Sequence, residues 1–69
     1  MTFSKDELAS NLRAERARKH MQQEELSQAT GISTAAITAY ENGVYVPGAD
    51  KIYSLAKALD TTPNVLLGF

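Results

Sequence analysis

The side chains whose types could do chemistry are a single histidine, His20, a scatter of carboxylates, and a run of amides and hydroxyls between positions 22 and 45. His20 has no second His and no Cys with which to share a metal, so no metal-ligand set is expected. Glu24 and Glu25 are adjacent and would point apart on a helix, unlike a catalytic carboxylate pair. Ser, His and acids are present, but no spacing joins a nucleophile to its base. Neither an enzyme nor a cofactor is expected. What remains is recognition chemistry: the amides of Gln22, Gln23 and Asn42, and the hydroxyls of Ser33, Thr34, Thr38 and Tyr45, all directional hydrogen-bonding groups.

The elements that must position these groups are legible in residues 22–43, which read as two short helices about a tight turn. Leu26 and Ala29 stripe the first at helical spacing, and Ile37 and Tyr40 stripe the second. Gly31 stands where a chain leaving a helix turns left-handed, a conformation that costs Gly least. Ser33 offers an N-cap hydroxyl, and Ile32 and Ile37 form a hydrophobic staple around it. Met21 and Leu26 repeat the staple on the first helix, where Gln22 is a poor cap. Two helices joined so closely form a helix-turn-helix. On the outward side of the second, Ala35, Thr38, Ala39 and Asn42 make a small, uncharged face. A merely solvated face carries Lys and Glu. Something therefore approaches it closely, either a DNA major groove or another helix.

The stretch resembles the helix-turn-helix of the Cro and phage-repressor (Xre-like) family of bacterial and phage regulators. The family pattern stands here as Gln23-Glu24-Glu25-Leu26-Ser27, the turn glycine Gly31, and Tyr40-Glu41-Asn42-Gly43 at the end of the recognition helix. Upstream, Arg16 matches the family's Arg. Downstream, Pro47 and Leu55-Ala56-Lys57-Ala58-Leu59 match its Pro and its Leu-Ala-x-x-Leu helix. The likeness covers about residues 12–67. It implies an all-α, compact five-helix, lambda-repressor-like DNA-binding domain. It also implies a sequence-specific regulator of double-stranded DNA, with repression by blocking a promoter as the expected action.

Under that resemblance the base-reading residues are Ser33, Thr34, Ala35, Thr38 and Ala39, and Gln22, Gln23, Asn42 and Tyr45 serve phosphates. Tyr45 could equally lie half-buried beside Pro47. Arg16 falls on the buried face of its helix, one turn beyond Leu8 and Leu12. A part-buried Arg needs a carboxylate, and the resemblance points to Glu41. The alternative is that Arg16 snorkels to water. The chain departs from the family in the Val44-Tyr45-Val46-Pro47 loop, which lacks the usual Lys or Arg, and at Gly48, which replaces a hydroxyl cap.

Composition sets the bounds. Sixty-nine residues make one small domain, 1–69, with no Cys for disulfides and a net charge of −1. No run approaches the ~18 apolar residues of a membrane span, and with no Cys a cytoplasmic protein is expected; the resemblance implies a bacterial or phage-encoded one. The acidic balance opposes DNA binding, which leans on phosphate neutralisation. Against it, Arg13, Arg16, Arg18, Lys19 and His20 cluster in one helix. For a chain ending in Leu-Gly-Phe without linker or sensor domain, a whole protein is expected.

The remaining elements follow by local signals. Ser4 with Glu7 makes a capping box and Phe3 with Leu8 a staple, so the first helix begins at about Lys5. A fourth helix runs from about Ala49 to Leu59, with Ile52, Leu55, Ala56 and Leu59 on one face. Thr62 caps a short fifth helix that has Pro63 at its first position. Val65, Leu66, Leu67 and Phe69 exceed what that helix can bury, so they are expected to join a homodimer whose recognition helices lie ~34 Å apart on a near-palindromic operator. The competing reading is a protein-binding module on the same fold, an antitoxin-like or anti-repressor partner.

Overall fold

Ser4 opens the first helix by accepting a hydrogen bond from the Glu7 backbone N–H at 3.3 Å. The computed structural model describes residues 4–69, so the Phe3 staple lies outside the described residues. Five helices follow in order: α1 Lys5–Arg18, α2 Gln23–Thr30, α3 Thr34–Glu41, α4 Ala49–Ala58 and α5 Pro63–Leu67, with no strand among the described residues. Only half of the first capping box forms, because the Glu7 carboxylate lies beside Gly68 instead of reaching back to Ser4.

The helix boundaries have local causes. Glu25 accepts from the Gln22 N–H at 2.8 Å at the start of α2. Gly31, at φ +77°, ends that helix with its N–H on the Ser27 carbonyl. Ser33 caps α3 by accepting from Ala36 N–H at 3.1 Å. Thr62 does the same for α5 through Val65 N–H, with Pro63 in the first turn. Gly48 starts α4 without a side-chain cap.

The helices close around one core of Leu8, Leu12, Leu26, Ile32, Ile37, Tyr40, Leu55, Ala56, Leu59 and Leu66, with Met21 packed against it. Helix α1 lies against α3 and α5, while α2 meets α3 and α4. Two expectations change here. Ala29 is exposed, beside Tyr53 in a shallow hollow between α2 and α4, and Ile32 from the turn takes the core position instead. Leu66, expected on a dimer surface, is fully buried in the domain's own core. The short α5 turns Leu66 inward onto α1 and α4, half-buries Leu67 against the core, and leaves Val65 and Phe69 outside. No described helix is long and apolar enough to cross a membrane.

Candidate nucleic-acid interface

The site is built on a buried carboxylate. Glu41, only 3% exposed, sits at the end of α3 where the helix meets α1. A carboxylate there needs compensation, since burying an unpaired charge is costly. Arg16 supplies it with two prongs: Nε donates to Oε2 at 2.7 Å and Nη2 donates to Oε1 at 3.0 Å. The third arginine nitrogen, Nη1, donates to the Met21 carbonyl at 2.8 Å, tying the α1–α2 connection to the same guanidinium. The hydrogen bond from Arg16 to Glu41 raises the arginine above its ordinary pKa, with burial opposing and the carboxylate charge assisting. A raised pKa means stability that is fully present below the unfolded value and is lost only at strongly alkaline pH. The arginine therefore brings no pH dependence near neutrality.

From Glu41 a chain of hydrogen bonds runs outward to the exposed face. Gln23 Nε2 donates to Glu41 Oε1 at 3.0 Å. Thr38 Oγ1 then donates to Gln23 Oε1 at 3.0 Å. Both ends of the Gln23 amide are engaged within the protein, an arrangement that its place in the sequence did not disclose. One Nε2 hydrogen and the backbone N–H groups of the first α2 turn are what Gln23 and its neighbours can still offer. No described buried side-chain nitrogen or oxygen lacks a partner.

Outside this network lies the face that the sequence singled out. Ser33, Thr34, Ala35 and Thr38 are exposed and Ala39 is half-buried, so the outward side of α3 is small and uncharged. Beside it an open cleft of about 550 Å³ is lined by Arg16, Gln22, Gln23, Glu24, Thr34 and Thr38. Asn42 closes α3 through its backbone and keeps its side chain in solvent. Tyr45 is 66% exposed, while Pro47 is buried, so the half-buried alternative for Tyr45 does not hold. The loop leaves α3 through hydrogen bonds from Val44 N–H and Tyr45 N–H to the Ala39 carbonyl.

The arginine cluster of α1 serves a purpose that its sequence did not disclose. Arg13 Nη1 donates to the Glu41 carbonyl at the end of α3. Arg18 Nη2 donates to the Leu59 carbonyl at the end of α4 at 2.9 Å, and its Nε pairs with Glu15 at 2.9 Å. Basic groups at helix C-termini satisfy orphan carbonyls and complement the dipole. Arg13 and Arg18 thus clamp helix ends, Arg16 holds the Glu41 carboxylate, and Lys19 and His20 lie beyond the end of α1. Spacing along α1 could not reveal this, because the carbonyls they meet belong to other helices.

The helix-turn-helix family model matches residues 12–66. An uncharacterised HTH-type transcriptional regulator of Sinorhizobium fredii is 33% identical over 60 residues, covering 87% of this chain and 31% of that protein, so this chain spans about a third of its relative. Among solved structures, the P22 c2 repressor in complex with a synthetic operator superposes with a TM-score of 0.82 at 30% identity, over 87% of this chain and 91% of that one. The restriction-modification controller protein C.AhdI of Aeromonas hydrophila superposes at 0.86 with 29% identity, over 90% and 94% of the two chains. With its Arg16–Glu41 pair, left-handed turn at Gly31 and small, uncharged outward face on α3, this chain belongs to the helix-turn-helix family of Cro and phage-repressor type.

Proposed function

We propose that the protein binds double-stranded DNA sequence-specifically as a transcriptional regulator, repressing by occupying a promoter. The family and fold are those of DNA-binding transcriptional regulators. The observation that carries the reading is the exposed face of Ser33, Thr34, Ala35 and Thr38, free of charge and held rigid from behind by the Gln23–Glu41–Arg16 network. Small side chains let a helix sit deep in the major groove, and their methyl groups can touch thymine. In this reading Ser33, Thr34, Ala35, Thr38 and Ala39 meet base edges. The N-terminus of α2 with Gln22 and Gln23 meets a phosphate, helped by its dipole, and Asn42 and Tyr45 flank it. The domain, residues 1–69, works in the cytoplasm as a homodimer on a near-palindromic operator, through Val65, Leu67 and Phe69, without cofactor or catalysis.

One observation favours a second reading, a protein-binding module of antitoxin or anti-repressor kind. Val44, Tyr45 and Val46 are exposed, apolar or aromatic, and uncharged beside a domain of net charge −1. Binding to random duplex at low salt separates the two, since every DNA reader keeps a phosphate-driven background. With Arg13 and Arg18 holding helix ends and Arg16 paired with Glu41, the slope of log K against log salt should be shallow, about −2 to −3 per domain. Ala35→Glu places a like charge against the phosphates and should lower duplex affinity at least about tenfold with an unchanged melting temperature. An absence of duplex binding at low salt selects the second reading.

A further inference from the structure

We propose that Thr38 offers the major groove an acceptor-only hydroxyl, and so selects at one position of each half-site a base whose edge carries an amino group. The proposal rests on the DNA-reading assignment above and follows from the polarity of the hydrogen-bond chain. Glu41 is a carboxylate held by two prongs of Arg16, so it can only accept. Gln23 lies 3.0 Å from Glu41 Oε1 and must turn its NH₂ toward that oxygen, because its carbonyl there would set two acceptors face to face. The amide is planar, so Gln23 Oε1 is thereby directed at Thr38, 3.0 Å away. That oxygen has no proton, and the Thr38 hydroxyl must donate its own. The Thr38 side chain is exposed on the reading face, and what it still presents outward is oxygen lone pairs and a methyl group.

Such a group discriminates among bases. Adenine N6 and cytosine N4 are donors in the major groove, while guanine O6 and N7 and thymine O4 are acceptors. Amino bases can complete the chain at Thr38, but keto bases would meet acceptor with acceptor. Gln23 is then a positioning residue for base choice in addition to any phosphate it meets. A buried carboxylate sets a preference read several ångströms away at the protein surface.

Selection from a randomised duplex library, with sequencing, tests this. The parent should enrich adenine and cytosine over guanine and thymine at one position per half-site by about three- to tenfold, the scale of one net hydrogen bond. Thr38→Val, which keeps the shape and removes the oxygen, should erase that preference, and Thr38→Ser should retain it. Gln23→Met, which frees the Thr38 proton to turn outward, should relax the same position toward keto bases. The double variant should add nothing to Thr38→Val. If the parent selects a sequence but Thr38→Val keeps the amino preference, or Gln23→Met leaves it intact, the proposal is overturned and the DNA reading stands. If the parent enriches no sequence at all, the DNA reading fails and takes the proposal with it.

Discussion

At the scale of single residues, the asymmetry between Glu41 and Arg16 predicts unequal penalties. The Glu41 side chain is 4% exposed and that of Arg16 is 20% exposed. Removing Glu41 leaves a guanidinium that can swing toward water, whereas removing Arg16 strands a carboxylate on Gln23 alone. Glu41→Ala should cost about 3 kcal/mol, near the lower end for a broken buried pair, and lower the melting temperature by about 10 °C or more. Arg16→Ala should cost more. Thermal melts of both variants check the order, and a Glu41→Ala melt within a degree of the parent would sink the account. Sequence placed Arg16 on an apolar face and so implied a partner. It could not place Gln23 between Glu41 and Thr38, because that contact depends on how α2 crosses α3.

At the scale of elements, the turn between α2 and α3 fixes where the reading face points. Gly31 holds φ +77°, and a Cβ built there meets nothing within 4 Å. The cost of any replacement is therefore conformational and not steric. Gly31→Ala should lose about 1 kcal/mol, the low end for a left-handed L-residue, and Gly31→Asn less, since Asn tolerates that region. Denaturant melts that show Ala and the parent to be equal would mean the turn relaxes without strain. This turn was legible in sequence, as were the caps at Ser4, Ser33 and Thr62, because each acts on backbone groups within four residues. The Ala29 stripe was misleading for the opposite reason. Helical spacing names a face but not how wide the contact on that face will be, and α2 is only eight residues long.

At the scale of the whole molecule, the C-terminal apolar residues divide. Leu66 is in the core and Leu67 packs on its edge, while Val65 at 44% and, four residues on, Phe69 at 55% remain exposed. Those two, with the half-buried Leu67, are the surface on which the proposed homodimer rests. Val65→Lys together with Phe69→Ser should leave the fold intact, give a monomer in sedimentation, and weaken operator binding by about tenfold or more through loss of the linked second site. A parent that sediments as a monomer at high concentration, both free and one per site on DNA, would rule the dimer out.

The sequence by itself determined the five helices, their starts, the left-handed turn, and the small uncharged face of α3. These depend on propensity, caps and period, all set by neighbours along the chain. Only the tertiary structure decided where the charges and the last apolar residues went. Arg13 and Arg18 found carbonyl ends on α3 and α4, Leu66 filled the core, and Gln23 relayed a buried carboxylate to Thr38. Those hydrogen bonds join residues 15 to 41 positions apart across packed helices. Their partners are chosen by which faces meet when the core closes, and no local spacing encodes that choice.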